Sequence, residues 1–173
     1  MSKRRKVVNL PARIEWEKLF MEITEKICER SLCLKYRTAS IITDGTQIIS
    51  IGYNGTFSHQ QECCDYWKDH YEKNIKKDGK VDSLTFDQWL QTEEFKLLHR
   101  EWSLENEVHA EINALNWISK RLVNANYTLY TYLSPCENCA KSIISYGIKK
   151  VYYRIPHKSL EVLIKNNITC IKI

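Results

Sequence analysis

Residues 127–173 alternate short apolar runs with amphipathic stretches, joined by connections of only a few residues. Residues 127–133 predict a strand, 137–146 a helix stopped by Gly147, 150–154 a strand, 159–166 a helix and 168–173 a strand. Alternating strands and helices of this kind imply a sheet covered by helices. Upstream, Trp16, Leu19, Phe20, Ile23 and Ile27 recur at helical spacing within residues 15–30. Residues 39–51 read as a β-hairpin turning at Asp44-Gly45, a pair that tolerates positive φ, and run into Gly52-Tyr-Asn-Gly55, read as a glycine-flanked loop where backbone could approach a ligand. A helix is expected from Asn106 to Leu122. The order helix, hairpin, helix, strand, helix, strand, helix, strand predicts a three-layer α/β domain with helices on both faces of one sheet.

The 173 residues suffice for one domain, taken as 1–173, and are too few for two comfortable ones. Residues 56–100 are polar, charged and aromatic with mixed periodicity, and read as an insertion of short helices. No apolar run approaches the ~20 residues of a membrane span, and no signal-peptide pattern opens the chain, so a cytoplasmic protein without membrane contact is expected. The formal charge of +5 is local: Lys3, Arg4, Arg5 and Lys6 supply four of the 26 basic residues, leaving 22 against 21 acidic ones. Residues 1–10 read as a basic, solvated terminus, with a phosphate-contacting arm as the alternative. Nucleic acid is therefore not the favoured partner.

Seven cysteines, at 28, 33, 63, 64, 136, 139 and 170, fit metal binding or catalysis better than disulfides in such a compartment. Two segments concentrate the chemistry: His109-Ala-Glu111 and Pro135-Cys-Glu-Asn-Cys139. Each opens an expected helix. Cys136 and Cys139 share one face of a first turn and can reach one metal together. With His109 they make the three nitrogen and sulfur ligands of a catalytic zinc that keeps its fourth position for water. Glu111 would stand beside that water as the proton-moving group. The pairing of His-x-Glu with Pro-Cys-x-x-Cys is the signature of zinc nucleobase deaminases.

Further residues make the chain similar to the deoxycytidylate (dCMP) deaminase family, particularly its T-even phage type. They are Gly52-Tyr-Asn-Gly55, Cys63-Cys-Asp-Tyr66, the run from Glu101 to Ala114, Leu133-Ser-Pro-Cys-Glu-Asn-Cys-Ala-Lys141 and Gly147-Ile-Lys-Lys150. The resemblance implies a five-stranded mixed sheet and conversion of dCMP to dUMP and ammonia for thymidylate synthesis. It implies that Asn54 binds the deoxyribose and that the backbone around Ala110 and Ser134 reads the pyrimidine. It further implies a hexamer activated by dCTP and inhibited by dTTP, with Gly52, Tyr53 and Gly55 near the effector. Phage-type members carry a second, noncatalytic zinc, for which Cys33, Cys63, His99 and Glu107 are the matching positions; Cys64 could replace Cys63.

Two segments depart from the family pattern. Thr38-Ala-Ser40 replaces a Val-Gly-Ala, and the loop after Arg154 is cut to Ile155-Pro-His-Lys158. That loop normally closes the nucleotide end, so phosphate contacts are left to Lys35, Arg37 and Arg154 as candidates. Lys120 stands where relatives use an arginine near a subunit contact. The alternatives are a deaminase of another cytosine substrate (dCTP, free cytidine, a modified dCMP or single-stranded nucleic acid), a silent zinc module, and a redox Cys-x-x-Cys protein. Glu111 argues against the silent module. Aromatic Tyr66, Trp67, Tyr71, Phe86 and Trp89 would serve single-strand stacking or packing of the insertion.

Overall fold

Alternation of side chains along the strands builds two cores from one sheet. The computed structural model describes residues 12–76, 84–118 and 126–173. The basic terminus, Lys120 and residues 119–122 of the expected central helix lie outside them.

Five strands, β1 (Ala39–Asp44), β2 (Gln47–Tyr53), β5 (Tyr127–Leu133), β6 (Lys150–Ile155) and β7 (Thr169–Lys172), form a sheet of order β2-β1-β5-β6-β7. β1 runs antiparallel to both β2 and β5, and β5, β6 and β7 are parallel, so the sheet is mixed. Ile41, Tyr130 and Tyr152 face one side, where they meet Phe20 and Met21 of helix α1 (Trp16–Ile27). Their neighbours Ile42, Leu129 and Val151 face the other, against α5 (Ala110–Asn116), α6 (Glu137–Ser145) and α7 (Glu161–Lys165). Each fully buried Ile or Leu contributes roughly 1.5–3 kcal/mol of transfer free energy, which the ordering of the chain largely offsets. The three layers expected from the sequence are present.

The hairpin turn sits one residue later than expected. Asp44 pairs with Gln47, leaving Gly45 and Thr46 as the two-residue loop, and Gly45 carries the positive φ of 57°. Such loops need left-handed residues to match the strand twist.

Two larger corrections concern the segments around the expected site. Gly52-Tyr-Asn-Gly55 is not a loop: Gly52 and Tyr53 end β2, and Gly55–Thr56 forms a short strand β3. The helix expected from Asn106 does not begin there. Asn106 ends a preceding helix, α4 (Glu93–Asn106), and Glu107–Val108 is a strand β4 paired antiparallel with β3. That pairing holds the backbone extended through His109 (φ −67°, ψ 149°), so α5 starts at Ala110.

The segment read from the sequence as an insertion carries an aromatic core of its own. Helix α2 (Cys63–His70) widens into a π-turn at Tyr71–Ile75, and a short α3 (Phe86–Trp89) precedes α4. Trp67, Tyr71, Trp89 and Phe95 are buried together, with Tyr66, Phe86 and Trp102 packed against them. Thr85 and Thr92 cap α3 and α4 through the backbone N–H groups of Gln88 and Phe95. These aromatic faces are spent on packing rather than presented to solvent. No described helix is long and apolar enough to cross a membrane.

Candidate active site and metal centres

Cys136 is the N-cap of α6 and Cys139 lies in its first turn, three residues on. His109 is the N-cap of α5. Packing of both helices on the same sheet face brings these starts together. His109 Nδ1 lies 3.3 Å from Cys139 Sγ and 3.5 Å from Cys136 Sγ. Ligands on a tetrahedral zinc with ordinary Zn–S and Zn–N bonds are roughly 3.6 Å apart, so the donors fit that ion in type and spacing. Among the described residues this cluster has three such donors, all within 4.8 Å of one another, and Glu111 is not one of them.

The protonation pattern agrees. Cys136 is held well below the usual thiol range by the hydrogen bond from Cys139 and by His109. Cys139 is pushed up by Cys136 and by burial, and His109 is raised chiefly by Cys136. One thiolate forms readily and the second only with a cation between them. Glu111, only 6% exposed, has its carboxyl raised mainly by burial, and it is in hydrogen-bonding contact with Cys139.

Four elements supply a second cluster. Cys33 follows the single 3-10 turn after α1, Cys63 opens α2, His99 lies within α4 and Glu107 is in β4. His99 Nε2 is 3.5 Å from Cys33 Sγ and 3.4 Å from Cys63 Sγ, and Glu107 Oε2 is 3.6 Å from Cys33 Sγ. Cys63 is 1% and His99 2% exposed. Glu107 Oε1 and His99 Nδ1 are buried without a hydrogen-bond partner, and burial followed by the Cys33 charge pushes Glu107 up to about 8. Three buried titratable groups and a half-buried carboxylate facing one point are costly unless a cation shares them. The donor set is a closed four-ligand one and fits zinc. Cys64 takes no part: its thiol contacts its neighbour Asp65.

The other sequence-predicted residues divide into two groups. Asn54 is buried and committed to local structure, accepting from Ser31 Oγ (2.7 Å) and the Thr38 N–H (2.9 Å) and donating to the Tyr36 carbonyl (2.8 Å). Ser134 Oγ accepts from the His157 and Lys158 N–H groups at 2.7 and 2.8 Å. Gly52 packs so closely on α5 that a Cβ would strike the backbone of Ala110 and Ala114. Tyr53 keeps an exposed ring, and Gly55 pairs with Val108. Arg37 donates to the Ser31 and Glu29 carbonyls, both at 2.7 Å, beside a cavity of about 350 Å³ lined also by Glu25, Cys28 and Tyr132. Arg154 is ion-paired with Glu25 of α1. By strand alternation it shares the face of Tyr152, across the sheet from α5 and α6. Only Lys35 of the three phosphate candidates is left near the metal side.

Sequence reasoning missed Tyr36 and His157, whose rings lie 5.0 Å apart. The one available signal was that His157 sits in the shortened turn.

Two helix N-termini presenting His-x-Glu and Pro-Cys-x-x-Cys to one point against a mixed sheet are the arrangement of the zinc-type nucleobase deaminases. The model of the cytidine and deoxycytidylate deaminase zinc-binding region matches residues 14–155. The chain belongs to that family, and it is an enzyme of the deaminase class. It is 34% identical to the deoxycytidylate deaminase of Enterobacteria phage T4 over 143 residues, 77% of this chain and 74% of that protein. It is 30% identical to the deoxycytidylate deaminase of Saccharomyces cerevisiae over 161 residues, 91% of this chain and 44% of that protein. Its fold is similar to that of the cyanophage S-TIM5 dCMP deaminase solved with dCMP and dUMP, with a TM-score of 0.63 and 22% identity. That match covers 94% of this chain and all of the other.

Proposed function

We propose that this enzyme hydrolyses dCMP to dUMP and ammonia, supplying dUMP for thymidylate synthesis in the cytoplasm. The observation that carries the reading is the buried Glu111 carboxylate set against three metal donors at the meeting of α5 and α6. The relatives named above, deoxycytidylate deaminases of phage and yeast, support the choice of substrate.

His109, Cys136 and Cys139 would hold the catalytic zinc. When bound there, zinc supplies Lewis acidity that makes water a usable nucleophile near neutral pH. Glu111 accepts a proton from the water that attacks ring C4 and passes protons to N3 and to the departing amine. The C4–O bond forms, the C4–N bond breaks, and ammonia leaves. Burial holds the Glu111 carboxyl above the ordinary carboxylate range, so it can return the proton it takes. The buried Ala110 and the Ser134 backbone flank the site for pyrimidine contacts, and Asn54, through the Tyr36 segment it ties down, shapes the sugar side.

Cys33, Cys63, His99 and Glu107 would hold a second, structural zinc that joins the insertion to β4. A hexamer activated by dCTP and inhibited by dTTP belongs to the same reading and rests on the family resemblance. Tyr53 is its exposed effector candidate.

The test is ammonia release from dCMP, dCTP, deoxycytidine and cytidine by wild type and Glu111→Ala, with and without added dCTP or dTTP. Turnover of dCMP that is lost in the variant and tuned by triphosphates is expected. Activity confined to another cytosine compound would move the substrate, and silence on all four would overturn the reading.

A further inference from the structure

The turn after β6 is anchored directly to the metal motif. Ser134 lies two residues before Cys136; its N–H donates to the Ile155 carbonyl at 2.9 Å, and its hydroxyl donates to the Lys158 carbonyl at 3.0 Å. The same hydroxyl accepts the N–H groups of His157 and Lys158. Four hydrogen bonds to one serine make a four-residue turn rigid, and its position is tied to that of Cys136.

Opposite the turn lies the segment that carries Cys33. Asn54 pins it by accepting the Thr38 N–H and donating to the Tyr36 carbonyl. The Tyr36 ring stands 5.0 Å from the His157 ring, tilted by 60°. Lys35 reaches from the same segment, its ammonium 5.5 Å from the centre of the Tyr36 ring and 3.5 Å from the Lys96 carbonyl. Among the described residues, neither ring nitrogen of His157 has a hydrogen-bond partner. The ring is near enough to the metal donors to feel both Cys136 and His109. Desolvation and then the Lys158 charge hold it below the ordinary imidazole range, with Cys136 acting the other way. Lys158 and Lys35 are the side-chain cations that act on this ring, and clustered cationic donors are what a phosphate needs.

We infer that His157, with Lys35 and Lys158 beside it and Tyr36 as its wall, forms the subsite for the substrate's 5′-phosphate in this chain. The inference rests on the reading of the site as one for a cytosine nucleotide and assigns its phosphate end. Arg37 and Arg154 do not compete for the role, since both are bonded on the α1 side of the sheet. Imidazole N–H and ammonium groups are donors suited to a phosphate dianion, and two of the three stand on a turn with a fixed backbone. His157 and Lys35 come from opposite walls, which allows a phosphate to be gripped from two sides.

The experiment measures binding of dUMP and of deoxyuridine to the zinc-loaded full chain by titration calorimetry, for wild type, His157→Ala and Lys35→Met. Zinc content and melting temperature check the fold of each. Selective weakening of dUMP binding by roughly 10- to 100-fold in His157→Ala, with a smaller loss in Lys35→Met and deoxyuridine unchanged, is expected. In turnover, KM for dCMP rises while kcat changes little. Unchanged dUMP affinity in both variants overturns the inference. Equal weakening of dUMP and deoxyuridine assigns His157 a structural role and overturns it too, as does a wild type that fails to prefer dUMP. If dUMP binding stays selective and His157-dependent while no cytosine nucleotide is turned over, the catalytic reading falls and the phosphate subsite stands.

Discussion

Glu107 and His109, with only Val108 between them, project from one extended segment and belong to different candidate ligand clusters. Side chains two apart on extended backbone share a side, and each of these two groups feels the other's charge. The pairing of β4 with β3 holds both. The insertion's cluster and the cluster beside Glu111 are therefore mechanically joined through three residues.

Emptying the insertion's cluster is expected to register at both sites. Cys33→Ser or His99→Ala should lower bound zinc from two ions per chain to one, read by atomic absorption. A loss near 3 kcal/mol would lower Tm by about 6–12 °C in a chain this size. Zinc at the remaining site should also leave faster in a chelator challenge, because His109 loses its fixed backbone. An unchanged zinc count would rule out metal at the second cluster.

Glu111→Gln keeps the shape of the side chain and removes its basicity. kcat should fall by at least roughly 10²–10⁴-fold, with one zinc still held by His109, Cys136 and Cys139 and with dUMP affinity retained. Residual activity near wild type would remove Glu111 from the proton pathway.

Gly52→Ala tests a close approach. The added methyl meets backbone at Ala110 and Ala114, which cannot swing aside as a side chain would. Displacement of α5 should cost about 1–3 kcal/mol or more and weaken zinc at His109. Thermal melts and a zinc titration measure the two effects. By contrast, Gly55→Ala has open space around the new Cβ and should be nearly silent.

Arg154→Met breaks the ion pair with Glu25, whose partners are 40% and 32% exposed. Pairs of that exposure contribute at most about 1 kcal/mol. Stability should change within that limit and KM for dCMP should not change. A large rise in KM would return Arg154 to the phosphate.

Cys28 gives an alkaline limb. Burial raises its thiol from 9.0 to about 11. A raised acid favours the folded state while the thiol is protonated in both states, and that contribution is lost as pH climbs from about 9 through about 11. The stability difference between wild type and Cys28→Ala, taken from urea unfolding, should be level below pH 9 and shrink above it.

His109, Glu111, Cys136 and Cys139 could be read from the chain because each pair is set by local geometry. Two residues at a helix start, or two three apart in a first turn, face together wherever the helix goes. The second cluster was legible only through resemblance: Cys33 and His99 are 66 positions apart, Cys33 and Glu107 74, and no local periodicity joins them. The helix expected from Asn106 failed for a related reason. Its sequence is compatible with helix, and the extended stretch through His109 is imposed by hydrogen bonds to Gly55–Thr56.

What the sequence alone determined was the three-layer α/β order, the hairpin, and the donor chemistry at the starts of α5 and α6. These follow from side-chain period, turn residues and helix geometry, all of which act over a few residues. The tertiary structure decided which charges are available to a substrate. Arg154 meets Glu25 from 129 positions away, and Arg37 is consumed by backbone carbonyls, whereas among the described residues His157 keeps unbonded ring nitrogens beside Tyr36. A charge's partner depends on which elements pack together, and that packing is settled only when the sheet's two faces have been covered.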